Sequence, residues 1–208
     1  MLIVTWQIVL WIWKVVNKKM KDKLVIGNFI TSLFSSLCYS VIHQQLINAV
    51  GSNLISINCF IMYGVGIIFP IIWNKYKGKL YNYYGFLLIA EIIIYSILNV
   101  TVISGKLDLL GYYIIDTIAF SIITQNILCG SRRLKALRYN DENLRTKFDN
   151  DCQIAINIAC MVGFGISSII EFSFNQAFVM NLIAIISDNI FYYSVWKENI
   201  KELRKVVE

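Results

Sequence analysis

Five ionisable side chains lie inside or at the edges of long apolar runs, and they are the residues of this sequence best placed to do chemistry. They are His43, Glu91, Asp116, Glu171 and Asp188. An ionisable group in lipid is costly, so it faces the interior of a helix bundle or water. The setting predicts a proton or cation site, a contact for a polar solute, or hydrogen bonds that hold helices together.

Asp188 is the strongest of these candidates because it lies nearest the middle of its apolar run. Asn181 and Asn189 flank it at near-helical spacing, and Asp116 shares a helical face with Thr124, eight residues on. Glu91 lies about two turns from a basic segment and could pair with a basic residue there. The residues proposed for substrate or ion coupling are Asp116, Asp188, Asn189, Glu91 and His43.

Histidine and cysteine raise the alternative of a membrane protease that processes a peptide. His43 is the single histidine, and Cys38 lies five residues away on a different helical face. None of the five cysteines shows CxxC spacing, so neither a zinc site nor a disulfide framework is indicated. No glycine-rich phosphate loop followed by Lys-Ser/Thr occurs. We therefore expect no metal, no cofactor and no enzymatic activity.

The composition is that of a protein that faces lipid. Apolar residues make up 57% of the 208 residues and charged residues 15%, against roughly 25% charged in soluble domains. The net charge is +6, but the basic residues sit between apolar runs instead of forming one basic face with aromatics. The distribution therefore argues against a nucleic-acid partner.

Six windows are long and apolar enough to be membrane-spanning helices, which need about 20 residues. They are 24–46, 54–73, 85–104, 109–130, 152–172 and 176–196. The predicted fold class is thus all-α, a polytopic membrane protein with six transmembrane helices in a 3+3 arrangement, the two triplets joined by a turn near Gly105. The lipid bilayer is therefore an expected partner of the chain.

Positive charge sets the orientation of these helices. Every Lys and Arg except Lys106 falls before the first window, in segments 74–84 and 131–151, or after the last window. The positive-inside rule then predicts a cell-membrane protein with both termini in the cytoplasm.

The first 23 residues are predicted to form an interfacial helix and a basic segment, followed by a transmembrane domain at 24–196 and a cytoplasmic tail at 197–208. Residues 2–16 are apolar and carry three tryptophans but are short for a span. A seventh span is the alternative. A signal peptide is disfavoured because the positive charge follows the apolar run.

One segment between the second and third windows resembles a known motif. It reads Pro70-Ile-Ile-Trp-Asn74-Lys75-Tyr-Lys77-Gly78-Lys79. It resembles the Gly-x-x-x-Asp-Arg/Lys-x-Gly-Arg/Lys-Arg/Lys loop of the major facilitator superfamily, with Asn74 at the Asp position and Lys75 and Lys79 at basic ones. Pro70 and Lys77 replace the two glycines.

The resemblance is to the N-terminal six-helix half of such a transporter, and it covers about residues 24–200. A second similarity is Arg145-Thr-Lys-Phe leading into a fifth window with Gly163 and Gly165. Members of that family have two six-helix halves with the path between them. The resemblance therefore implies that two copies associate, unless the chain is a fragment or has kept only the scaffold.

Two functions follow from these observations. The first is a half-size transporter that works as a homodimer on a small or amphipathic solute, with coupling at Asp116 or Asp188. The second is a non-transporting accessory or immunity protein that binds another membrane protein or a peptide. Transport needs a polar residue at a cavity, whereas partner binding needs only an apolar or aromatic outer face.

The orientation is testable by labelling. In a variant without the natural cysteines, a membrane-impermeant thiol reagent should label single cysteines at Asn53 and Gly105 from outside intact cells. Cysteines at Lys77 and Arg138 should react only after the cells are opened. Labelling of the Lys77 position from outside would overturn the orientation.

Overall fold

The computed structural model describes residues 22–139 and 141–207, without the side chains of 77–79 and 201–207. Every regular element in this part of the chain is a helix. The helices are α1 (Lys23–Val50), α2 (Ser52–Tyr76), α3 (Leu80–Ile103), α4 (Leu109–Arg138), α5 (Glu142–Ser167) and α6 (Phe174–Val207). The predicted interfacial helix falls almost wholly on residues that lie outside this description.

Five of the helices are long and apolar enough to cross a membrane, namely α1, α2, α3, α4 and α6 up to Ile200. Helix α5 differs because its first turns are polar and it ends at Ser167, short of the predicted 172. From Ile154 to Ser167 it offers about 14 mostly apolar residues, or about 21 Å of helix, against a hydrocarbon core of about 30 Å.

The basic segments are mostly helical, which differs from the loops expected at 74–84 and 131–151. Hydrogen bonding continues from Ser52 to Ile103, and only a kink at Tyr76 (φ −119°, ψ 20°) separates α2 from α3. Helix α4 continues to Arg138, and α6 continues through the predicted tail to Val207. Lys and Arg favour helix, and their long stems can carry the charge to the membrane surface.

Helix α1 begins at a clear cap. The Asp22 carboxylate accepts a hydrogen bond from the Leu24 backbone N–H at 2.8 Å. A carboxylate at this position satisfies a free N–H group and complements the positive end of the helix dipole.

Helix α1 packs antiparallel to α6 and parallel to α5. Thr31 contacts Asp188 on α6, and the Lys23 ammonium pairs with Glu198 nearer the other end of that helix. On α5, Asn28 donates to the Cys152 sulfur, and Ser36 lies against Gly163. From Lys23 to Thr31 along α1, the partner on α6 changes from Glu198 to Asp188, so these helices are antiparallel. From Asn28 to Ser36, the partner on α5 changes from Cys152 to Gly163, so these helices are parallel.

Helix α4 repeats this pattern with α3 and α2. It runs antiparallel to α3, which it contacts through Tyr84 against Gly130 and through Glu91 bonded to Thr124. It runs parallel to α2, where the Trp73 indole N–H donates to the Asn126 side-chain oxygen at 3.0 Å.

Helices α3 and α6 pack against each other in the centre of the bundle. They are antiparallel, with Asn99 near Asn181 and the Trp196 indole N–H donating to the Tyr81 carbonyl at 3.0 Å. Consecutive helices therefore alternate in direction. The start of α1, the end of α2 and the end of α4 lie at one end of the bundle, which we call the basic end.

Glycines permit the closest helix approaches. A methyl group on Gly163 would overlap the Ser36 hydroxyl and lie 2.9 Å from the Leu33 carbonyl oxygen, whereas one on Gly165 would meet open space. Small residues of this kind let helix backbones approach in a membrane.

Gly163→Ala should therefore destabilise the bundle by about 1–3 kcal/mol through overpacking. Gly165→Ala, two residues along the same helix, should be neutral or stabilise by up to about 1 kcal/mol because alanine is the better helix former. Unfolding of both purified variants in a mixed-micelle denaturant titration measures the difference. Equal midpoints would contradict the predicted close contact.

Candidate functional site

Glu91 is the centre of a buried polar cluster that joins three helices. Its side chain on α3 is only 7% exposed. One carboxylate oxygen accepts a hydrogen bond from the Thr124 hydroxyl of α4 at 2.5 Å, and the other accepts from the Asn189 amide of α6 at 2.7 Å. The ion pairs among the described residues do not include Glu91, so its possible pairing with a basic residue is not found there.

An irregular turn in α4 presents Thr124 to Glu91. Residues Phe120–Thr124 form a π-helix within the otherwise α-helical run. Such a turn inserts one residue into the helix and shifts the face that later residues present. Thr124 therefore bonds to Glu91 although the predicted face placed it with Asp116. π-turns of this kind occur frequently at functional sites.

Asn189 is the second donor and is almost fully buried. Its amide nitrogen also donates to the Ile185 carbonyl at 2.9 Å, which fixes the side chain. Its amide oxygen has no hydrogen-bond partner within the described residues. A free acceptor thus lies beside the Glu91 carboxylate, in a setting where polar groups are normally satisfied.

Asp188 faces a different neighbour from Asn189. Adjacent residues on a helix point about 100° apart. The residues of the predicted stripe, Asn181, Asp188 and Asn189, therefore do not all contact the same helix. Asp188 receives a long hydrogen bond of 3.5 Å from the Thr31 hydroxyl of α1. Thr31 is also 3.4 Å from the Ala184 carbonyl, so its hold on Asp188 is weak.

Asp116 completes the set of carboxylates inside the bundle. It lies on α4 beside Tyr95 of α3. Asn181 is the first residue of the predicted stripe, and its amide nitrogen lies 3.5 Å from the Asn99 side-chain oxygen. Tyr95, Thr31 and Asn99 are partners that sequence reasoning missed, and no local pattern marks them.

A group of charged residues joins α1, α4 and α6 at the basic end. The Asp22 carboxylate accepts from the Arg138 guanidinium at 3.3 Å and from the Tyr139 hydroxyl at 2.7 Å. Glu198 pairs with Arg138 at 3.6 Å and with Lys23. Burial, reinforced by the Asp22 carboxylate, raises the pKa of Tyr139, so the phenol remains a neutral donor. We call these five residues the inner clasp.

His43 lies away from the carboxylates, towards the opposite end of α1. It is exposed and stacks on Tyr39 with ring centroids 5.1 Å apart. Cys38 is buried, and its thiol lies 3.3 Å from the Ser35 carbonyl. Within the described contacts His43 and Cys38 do not pair, which gives the protease dyad no support. Glu171 is likewise exposed at that end of the bundle.

The motif-like segment surrounds a cavity at the basic end. Asn74 lines this cavity, which has a volume of about 390 Å³ and lies between α2 and α4. The Lys75 ammonium lies 5.4 Å from the centre of the Tyr76 ring. The Lys79 side chain is among those outside the description.

Among the described residues, no group of three or more His, Cys, Asp or Glu side chains is arranged to hold a metal ion. Comparisons of the chain with known protein families, curated proteins and solved structures find no match.

A double-mutant cycle tests the central cluster. Glu91→Leu and Thr124→Val should each destabilise the protein, and together they should show a coupling of about 0.6 to at most about 1.7 kcal/mol, the average and the maximum for hydrogen bonds between membrane helices. Thr117→Val is the control, because among the described residues the Thr117 hydroxyl bonds to its own helix, at the Tyr113 carbonyl. Additive effects of Glu91→Leu and Thr124→Val in unfolding titrations would contradict the bond.

Proposed function

We propose that this chain is one six-helix half of a coupled solute transporter, which works as a homodimer in the cell membrane with both termini in the cytoplasm. The observation that carries the proposal is the pairing of its helices. Helices α1–α3 and α4–α6 make equivalent contacts with opposite directions in the membrane. Inverted repeats of this kind are a common plan of secondary transporters.

The equivalence holds helix by helix. The parallel pair α1 and α5 corresponds to α4 and α2, and the antiparallel pair α1 and α6 corresponds to α4 and α3. The central pair α3 and α6 corresponds to itself. This pattern supports the 3+3 arrangement and requires α5 to cross the membrane with the other five helices, although its apolar part is short.

Three carboxylates lie on the boundary between the two triplets: Glu91 is buried, and Asp116 and Asp188 are partly buried. Glu91 belongs to the first triplet and bonds to the second, Asp188 belongs to the second and bonds to the first, and Asp116 of the second lies beside Tyr95 of the first. Glu91 and Asp188 also lie near the middle of their helices. Transporter sites lie at this place, near the bilayer midplane and between repeats, often beside an irregular helix turn.

The chemistry suited to this boundary is reversible binding of a proton or a monovalent cation. A carboxylate bonded only to neutral donors can take up a proton, or exchange those donors for a cation. Asp188 is better placed than Glu91 because its bond to Thr31, at 3.5 Å, is longer than either bond of Glu91. The free Asn189 oxygen offers an additional ligand beside the Glu91 carboxylate.

A second copy would cover surfaces that this chain leaves open. Only 6% of the most apolar stretch of α2 is buried, against 28% or more in the other four candidate spans. On α5, Gln153 and Asn157 bond to each other at 2.9 Å on an exposed face. Exposed amides at membrane depth favour a protein or water-filled surrounding over lipid.

One observation favours the accessory or immunity function instead. None of Glu91, Asp116 and Asp188 lines the cavity at the basic end, the apolar cavity beside Tyr113, or the polar cavity beside Glu171. If the protein has the accessory or immunity function, the Glu91 cluster only holds the bundle together, and a partner binds the outer face of α2.

Asp188→Asn separates the two functions. Purified protein in liposomes carrying a pH-sensitive or sodium-sensitive dye is exposed to mixtures of small solutes, and solute-dependent ion flux is measured. The variant should assemble normally but lose coupled flux by about tenfold or more, because an amide cannot bind a proton in the carboxylate's place. Ser168→Ala, on an exposed surface of the other end, is the matched control.

Oligomer size from light scattering accompanies the flux measurement. A homodimer with flux that depends on Asp188 supports the transporter. A monomer without solute-dependent flux, or flux unchanged by Asp188→Asn, would move the assignment to the accessory protein.

A further inference from the structure

The cavity at the basic end has the chemistry of an anion site. Neither the inner clasp nor Glu91, Asp116 and Asp188 line it. It lies between the last turns of α2 and α4 and has a volume of about 390 Å³. Its lining residues are Pro70, Trp73, Asn74, Cys129, Arg132 and Arg133. Cavities of this volume are typical of small-molecule sites.

Two guanidinium groups at this cavity have no acidic partner. Arg132 and Arg133 are exposed, and within the part of the chain that the structure describes neither forms an ion pair with a carboxylate. Arg138, only one and a half turns further along α4, pairs with both Asp22 and Glu198. The difference shows that acids are available at this end of the bundle but are not placed at the cavity.

The other lining groups suit an anion that also has an apolar part. Asn74 supplies an amide donor, while Pro70 and the Trp73 ring supply apolar wall. The Trp73 N–H is already bonded to Asn126, so the ring is fixed in place. Each guanidinium group can bind phosphate through two parallel N–H···O bonds, which gives it both affinity and geometric selectivity.

The surface beside the cavity is apolar and exposed. Ile67 and Ile71 on α2 are 68% and 66% exposed, and Leu128 on α4 is 42% exposed. A ligand whose charged group sits at the arginines would have its apolar part along these side chains. Basic pockets between membrane helices bind the headgroups of anionic lipids in this way.

We infer that this cavity binds a phosphate group carried by an anionic ligand, with Arg132 and Arg133 as its ligands. The phosphate comes either from a phospholipid headgroup, whose acyl chains lie along Ile67, Ile71 and Leu128, or from a soluble phosphate compound. The apolar flank favours the phospholipid. The site stands independently of the transport function.

Native mass spectrometry of the purified, delipidated protein tests this inference with three probes. These are phosphatidylglycerol, which is anionic, phosphatidylcholine, which is zwitterionic, and inorganic phosphate. Wild type should bind the first phosphatidylglycerol about tenfold more tightly than phosphatidylcholine, since each basic residue near the headgroup contributes to anion binding. Arg132→Gln with Arg133→Gln should remove that preference.

The control variant combines Lys75→Gln with Lys147→Gln. It removes the same charge from the same end of the bundle, but neither residue lines the cavity, so the preference should change by less than about twofold. A second variant, Arg132→Lys with Arg133→Lys, keeps the charge but loses the parallel hydrogen bonds. It should retain part of the preference.

The outcomes separate the sources of phosphate. Displacement of the lipid only by other anionic lipids supports the phospholipid, and displacement by inorganic phosphate at about its cellular, millimolar concentration supports a soluble ligand. Equal binding of the two lipids by wild type, together with no phosphate binding, would overturn the site. So would an equal loss of binding in the glutamine variant and its control.

Discussion

The bundle depends on keeping one carboxylate, Glu91, satisfied in an apolar interior. An acidic residue at the centre of a membrane helix costs about 2.5–3.5 kcal/mol on insertion scales, so its donors must be held in place. They come from α4 and α6, and the π-turn of α4 delivers one of them. The same bonds therefore decide how α3, α4 and α6 meet, and α1 joins them through Thr31 and Asp188.

The inner clasp and the Glu91 cluster hold the triplets together at two heights. Asp22 of the first triplet binds Arg138 and Tyr139 at the end of α4, which belongs to the second. Ion pairs at the edge of a bundle are weak and exchange readily with water, whereas the central bonds are enclosed. The basic end is therefore held less firmly than the centre of the bundle.

Much of this fold could be predicted from the sequence, because long apolar runs indicate helices that can cross a bilayer. The described residues contain a helix at each of the six predicted windows, and Glu91, Asp116 and Asp188 lie at contacts between helices. The predicted ends of the helices were wrong, because lysine and arginine favour helix and continue it beyond the apolar windows. The partners of the carboxylates were not predictable either. Thr124 reaches Glu91 only because of the π-turn, and Thr31 and Asp188 are far apart in the chain, so no local spacing marks these contacts.

The inverted pairing of the helices has a consequence for the surface of the molecule. In this pairing α2 and α5 are equivalent, because α2 packs in parallel against α4 and α5 packs in parallel against α1. They differ in the surface that they expose: α5 begins with polar turns and exposes Gln153 and Asn157, whereas α2 is strongly apolar and barely buried. An apolar surface suits lipid, while exposed amides suit water or another protein, so α5 is the helix of the pair that lipid alone satisfies least.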